Sequence, residues 1–420
     1  MTLSSEKIEP LPTDRIAPPL IEKASAPSVE EFAAEAEEFL AAHAERREAR
    51  GREFVWGEGT DTVELFKTTS PAEIQAAREW RRTLFDAGLG WITGPLAYGG
   101  RELSLAHQRR FDALENRFQV PARALFSISL GCVAPTIADF GTHTLKKQWL
   151  APMYRGDVLG CQLFSEPGAG SDLAGVSTRA TLDGDTWVVN GQKVWTSRAR
   201  FSELGLLLTR TAPGPRNGNL TMFLVPMDAQ GVEIRPLREM TGGEEFNEVF
   251  FDDVRIPDTQ RLSEVGDGWR VAKGTLAHER SATGGSGAGG GGIMRIDRMI
   301  ALIKEFGKQD DPEVRRLFGE LYIGLITARV SRERTEGKLR SGQLPGPEAS
   351  AGKLELTRNL DRISSLVQEV LSDRLVADTG EWGTFAWSDL VLGVPGLRIA
   401  GGTDEVQRNI VAERVLGLPR

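Results

Sequence analysis

Two short stretches of the chain carry the residue types best able to do chemistry. The first, Phe164-Ser165-Glu166-Pro167-Gly168-Ala169-Gly170-Ser171-Asp172, is a run of small and polar residues that exposes backbone N–H groups and hydroxyls. The second, Asn190-Gly191-Gln192-Lys193-Val194-Trp195-Thr196-Ser197, brings an indole close to further hydroxyls. Donors of the first kind bind the edge of an acceptor-rich ring, and a tryptophan flanks its face. Together they suit a flat, polar-edged cofactor. Either piece alone also reads as an ordinary loop or hairpin, and the glycines alone also suit a phosphate. No GxxxxGK[ST] and no strand-bound GxGxxG accompanies them, which excludes a P-loop or Rossmann site.

Residues 1–28 read as an extended, proline-rich tail closed by Ser28, a helix cap with Glu31 three positions on. Phe32, Ala36, Phe39 and Leu40 then share a helix face before Gly51. A second capping box, Ser70-Pro71-Ala72-Glu73, opens a run carrying Ile74, Ala77, Trp80 and Leu84. Helical periodicity continues to about Trp149, so 29–155 is expected to be an α-helical domain. Over 156–260 the pattern changes to β-branched and aromatic runs separated by turn residues. Asn190-Gly191, between Trp187-Val188-Val189 and Lys193-Val194-Trp195, predicts a hairpin, because Asn-Gly tolerates positive φ. Helical patterning returns over 261–420, with Asp311-Pro312 as a helix start and a last helix from Asp404. Segregated segments in this order argue an α+β fold rather than a doubly wound sheet. The run Gly284 to Gly292, GGSGAGGGG, reads either as a flexible connector or as backbone left bare beside a large ligand.

Composition narrows the partners. At 420 residues the chain has length for two or three domains, and 40% hydrophobic with 26% charged residues is ordinary for a folded, soluble protein. A net charge of -8 argues against nucleic acid or an anionic membrane as main partner. Cys132 and Cys161 are too few for a disulfide framework and form no CxxC, which points to a reducing, cytoplasmic home. His43, His107, His143 and His278 have no metal-ligand spacing, so no metal site is expected. The N-terminal stretch lacks a signal peptide's basic start and apolar run, and no stretch is long and apolar enough to span a membrane.

From about Phe32 onward the chain resembles the acyl-CoA dehydrogenase family. The resemblance rests on SEPGAGSD, NGQKVWTS, Phe246-Asn247-Glu248-Val249-Phe250-Phe251-Asp252-Asp253-Val254-Arg255-Ile256-Pro257, and Ala400-Gly401-Gly402-Thr403-Asp404-Glu405-Val406-Gln407-Arg408, in the right order. It implies an N-terminal α-helical domain, a middle β-barrel-like domain and a C-terminal four-helix bundle. It also implies FAD, an acyl-CoA substrate, and dimers or dimers of dimers. Ser165 with the neighbouring backbone of Phe164 and Gly170 would hold the flavin's pyrimidine edge. Trp195 and Ser197 would stand by its face and hydride-accepting nitrogen, Ser171 would touch the CoA moiety, and the Gly401-Gly402-Thr403 turn would lie against the cofactor.

Desaturating a thioester needs a carboxylate for the weakly acidic α-proton, an acceptor for the β-hydride, and donors at the thioester oxygen. In many relatives the glutamate stands immediately before the Gly-Thr of the last motif, where this chain has Gly401. The family's second placement, on a helix just before an arginine, is matched by His278-Glu279-Arg280. Glu279 is thus the expected base and Arg280 a substrate contact, with Gly401 offering its backbone N–H to the thioester oxygen; a plain surface pair is the alternative for Glu279-Arg280. Two family motifs that grip the far end of FAD are replaced by Lys304-Glu305-Phe306-Gly307-Lys308-Gln309-Asp310-Asp311-Pro312 and Asp378-Thr379-Gly380-Glu381-Trp382-Gly383. Relatives lacking them can form heteromers in which a partner chain completes the FAD site, and such subunits often serve bulky or unusual acyl groups. The expected activity is therefore dehydrogenation to a trans-2-enoyl-CoA, with electrons passed to an electron-transferring flavoprotein, in a homo-oligomer or a heteromer with a related subunit. A non-catalytic or half-site subunit, and a flavin monooxygenase or oxidase of the same fold, are the alternatives.

Overall fold

The computed structural model describes residues 26–47, 54–63, 65, 69–214, 216–282, 294–340 and 346–419. Most of the expected N-terminal tail and the glycine run 284–292 lie outside the described residues. Contacts divide the chain into two units, residues 1–47 with 83–120, and 48–82 with 121–420.

The first unit holds α1 (Val29–His43) and α3 (Leu105–Glu115). Ser28 caps α1 as its spacing indicates: its hydroxyl accepts from Glu31 N at 3.2 Å while the Glu31 carboxylate accepts from Ser28 N at 2.8 Å. The helix ends at His43, where Ala44 turns to extended backbone. Phe32, Ala36 and Leu40 are buried, with Phe32 edge-on to His107. Helix α2 (Pro71–Asp86) has the second capping box, Ser70 and Glu73 exchanging bonds at 2.9 and 3.2 Å.

In the second unit, α4 (Ala134–Phe140) follows a π-helical turn, Ser129–Val133, and precedes α5 (His143–Arg155). Among the described residues eight strands then form one sheet: β1 (Gly160–Leu163), β2 (Arg179–Asp183), β3 (Thr186–Ser197), β4 (Leu204–Arg210), β5 (Leu220–Pro226), β6 (Val232–Pro236), β7 (Phe246–Pro257) and β8 (Arg261–Leu262). Their order is β6-β7-β3-β2-β4-β5-β8, with β1 parallel to β4. Trp187, Val189, Phe223, Val225, Val254 and Ile256 fill the sheet's core.

The hairpin expected at Asn190-Gly191 does not form. The chain reverses instead at Asp183-Gly184-Asp185, where Gly184 has φ +67°, and β3 then runs unbroken through both residues. The physical reason is pairing on both sides: β2 takes one edge of β3 and β7 the other, and the Asn-Gly step is absorbed as a bulge between Val189 and Gly191. Asn190 clasps Asp253 across the strands at 2.9 and 3.0 Å. Gly191, at φ +152°, passes so close to Thr178 that a Cβ would sit 2.5 Å from its hydroxyl.

The C-terminal helices are α6 (Gly268–Ala282), α7 (Ile296–Glu305), α8 (Pro312–Arg340), α9 (Ala349–Leu371), α10 (Trp387–Ile399) and α11 (Asp404–Arg414). Asp311 caps α8 by accepting from Glu313 N at 2.9 Å. Helices α8 and α9 run antiparallel, since Ser331 meets Glu355 and Gly324 meets Asn359. Met299, Leu302, Leu360, Ile363, Val367, Trp387 and Leu390 form the shared core.

Candidate active site

Strand β1 leads straight into the loop at 164–172. The loop is closed by reciprocal bonds between Glu166 and Ala169, both 3.0 Å, and Val194 N donates to Ser165 O at 2.9 Å, tying it to β3. What locks it is a pair the sequence reading missed. Lys193 is fully buried, and its ammonium donates to Glu166 Oε1 at 2.8 Å and to Phe164 O at 3.0 Å. Glu166 also accepts from Ser177 N, Ser177 Oγ and Thr178 N at 2.6, 2.7 and 2.9 Å. Burial alone would raise the Glu166 pKa, but the lysine charge and these donors outweigh it and hold the carboxyl at about 2. With its glutamate and carbonyls so engaged, the loop leaves Gly168, Gly170, Ser171 and Asp172 exposed, and a Cβ at either glycine would meet nothing within 4 Å. Asp172 pairs with Arg216.

Trp195 stands on the second bulge of β3, between Lys193 and Thr196. Its backbone lies at φ +61°, a region costly for a bulky side chain, and its indole is 61% exposed beside Phe246. Strain that turns a large aromatic towards open space, rather than into a core, is the kind found where a ligand is bound. Ser197 is half-buried two residues on. Thr196 Oγ1 and Asn247 Oδ1 are buried without a hydrogen-bond partner among the described residues. An exposed indole face and an open small-residue loop, joined by one backbone bond, fit a flat ring with polar edges.

The carboxylate side of the site assembles from four distant elements. Glu279 lies on α6, half-buried, and Gln162 on β1 donates to its Oε2 at 3.4 Å. Cys132, from the π-helical turn, is close enough that burial and then the Glu279 charge push its thiol up to about 12. Gly401 completes the set: at φ +64°, a Cβ built on it would stand 3.4 Å from Glu279 Oε1. The turn is fixed from behind. Gln407 donates to Gly401 O at 2.9 Å, Lys353 donates to Gly402 O at 2.7 Å, and Thr403 caps α11 by accepting from Val406 N at 3.2 Å. With these carbonyls engaged, what the turn offers a ligand is N–H groups and the start of a helix.

The structure thus brings Glu279 and Gly401 together, with Gly402 and Thr403 in the same turn, and separately joins Phe164, Ser165 and Gly170 to the strand of Trp195 and Ser197. Gln162, two residues before Phe164 on β1, links the two groups. Arg280 follows Glu279 on α6, and its side chain lies outside the described residues. The segments 304–312 and 378–383 both reach an aromatic cluster: Trp56 packs on Phe306 at 5.9 Å and on Trp382 at 5.0 Å, and Arg374 covers the Phe306 ring. Among the described residues no group of histidine, cysteine and acidic side chains could hold a metal, and no helix is long and apolar enough to cross a membrane.

Residues 52–157, 161–254 and 266–416 match the N-terminal, middle and C-terminal domain models of acyl-CoA dehydrogenase. The chain belongs to the acyl-CoA dehydrogenase family, whose members are flavoprotein oxidoreductases of lipid metabolism. It is 39% identical to acyl-CoA dehydrogenase IpdE1 of Mycobacterium tuberculosis over 354 residues, covering 83% of this chain and 89% of that protein. Among solved structures, the Tcur3481-Tcur3483 steroid ACAD matches at a TM-score of 0.70 and 26% identity, over 95% of this chain and 100% of that one. The ChsE4-ChsE5 complex from Mycobacterium tuberculosis matches at 0.67 and 25%, over 95% and 100%.

Proposed function

We propose that this chain carries out the FAD-dependent α,β-dehydrogenation of an acyl-CoA thioester with Glu279 as base, giving a trans-2-enoyl-CoA and passing electrons to an electron-transferring flavoprotein. The observation that carries this is the meeting of the Glu279 carboxylate with the bare Gly401 turn. A base and an N–H donor converging on one point is what abstraction of a thioester α-proton requires. Bound FAD supplies the acceptor for the hydride and its two electrons. Ser165, the backbone of Phe164 and Gly170, Trp195, Ser197, Gly402 and Thr403 would hold it, and Ser171 and Arg280 would contact the substrate. Glu279 takes the α-proton, while Gly401 N–H donates to the thioester oxygen as negative charge develops there. The exposed Trp195 indole would cover the ring face and exclude water there.

Substrate and assembly follow from two further features. Similar proteins include a steroid ACAD, and the sequence following Glu279 is rich in side-chain-free glycine, which together support a bulky, ring-bearing acyl group. The chain works with a related subunit, a reading supported by the two-component relatives and by the aromatic cluster built where the far-end FAD motifs are missing. The test is product analysis with the CoA thioester of a ring-bearing acid and ferrocenium as electron acceptor. A product lighter by two hydrogens, formed by wild type, is expected. Turnover confined to short straight chains would overturn the substrate class, and hydroxylated product formed with oxygen consumption would favour the monooxygenase.

A further inference from the structure

Strand β1 alternates: Cys161 and Leu163 point into the sheet core, so Gln162 points to the opposite face, where its amide reaches Glu279 on α6. A half-buried amide on a strand costs free energy unless it is bonded, and a carboxylate is the acceptor that rewards it most. We infer that Gln162 is the positioning residue of the base, donating to Glu279 Oε2 so that Oε1 is the oxygen turned towards Gly401 and the reacting carbon. This deepens the reading of Glu279 as base and rests on it.

The geometry has two consequences. A donor bonded to one carboxylate oxygen restrains the rotation of the whole group, with Oε2 on the Gln162 side and Oε1 on the Gly401 side. The same bond also favours the anion over the acid, keeping the base ready as substrate displaces water. Among the described residues, the elements packed around α6 carry the following charged and titratable groups. From the π-helical turn comes Cys132, a neutral thiol. From α4 comes Asp139, which holds His278 at 2.8 Å. On α6 itself Arg270 pairs with Asp267, and Lys273 is exposed. Packed against α6, β5 carries no charge, and Arg210 of β4 is engaged by the carbonyls of Ala174 and Val176.

The test uses the flavin-loaded protein, co-purified with its related subunit where loading requires one, and needs no substrate. A water-soluble carbodiimide labels protonated carboxyls, so the rate of labelling at Glu279, followed by peptide mass spectrometry against pH, gives its titration midpoint. Gln162→Leu removes the donor and is expected to raise the midpoint by about one pH unit. Gln162→Glu places a second carboxylate beside the first and is expected to raise it further. Gln162→Asn, which keeps an amide but withdraws it by one methylene, moves it in the same direction should the leucine variant fold poorly. Wild-type midpoints in all folded variants, with changes confined to melting temperature, would overturn the inference. Glu279→Gln is the control for the reading beneath it: wild-type oxidation of a ring-bearing acyl-CoA by that variant would overturn the base itself, whatever Gln162 does.

Discussion

At position 401 a side chain would start 3.4 Å from the Glu279 carboxylate on backbone already at φ +64°, so the glycine and the distant glutamate are two halves of one solution. A carboxylate from α6 reaches the point where a side chain at 401 would begin, which is what the proposed base requires. The second residue-scale device is Lys193 with Glu166. Replacing Lys193 by Met leaves a buried carboxylate without its cation, a loss on the order of 3 kcal/mol, read as a fall of several degrees in melting temperature. The pair also sets an acid window. The Glu166 pKa is depressed from its usual value to about 2, so its contribution is complete above the ordinary carboxylate range and is lost as pH falls through about 2. Lys193→Met should flatten the acid-side loss of stability in that window, measured by melting curves against pH. The candidate residues could be picked out in the sequence because small-residue loops, an out-of-place tryptophan and a glutamate before an arginine are local signals. Lys193 could not, because a lysine on a strand reads as solvated unless one knows which carboxylate folds over it.

Strand β3 shows how an element does more than its sequence advertises. Asn190-Gly191 has the chemistry of a hairpin turn, and in isolation would make one. Here both edges of the strand find partners, so the turn preference survives only as a bulge, and tertiary pairing outweighs local propensity. The capping boxes at Ser28 and Ser70 were legible for the opposite reason, since each is complete within four residues. The second bulge holds Trp195 in a left-handed conformation, a strain on the order of 1 kcal/mol. Trp195→Gly removes the strain together with the indole. Its flavin-free form should melt at or slightly above the wild-type temperature, while flavin per chain, read by visible absorbance after gel filtration, falls well below that of wild type. Equal flavin retention would mean the bulge serves the sheet alone.

For the whole molecule, the order of α, β and α segments was legible because hydrophobic period changes twice along the chain. The joining of β1, the π-helical turn, α6 and the Gly401 turn around one carboxylate was not, since their contacts span most of the second unit and no local pattern records them. The cluster of Trp56, Phe306 and Trp382 leads to a prediction about assembly. The chain purified alone should carry substoichiometric flavin, and co-expression with a related subunit should restore it in a larger species by light scattering. Full flavin loading of the isolated chain would contradict the heteromer. The central claim is tested most directly by the visible spectrum of the flavin-loaded protein under anaerobic addition of a ring-bearing acyl-CoA, with Glu279→Gln beside wild type. The account predicts a band that bleaches in wild type and persists in the variant at equal flavin content. Bleaching at the same rate in both would contradict it.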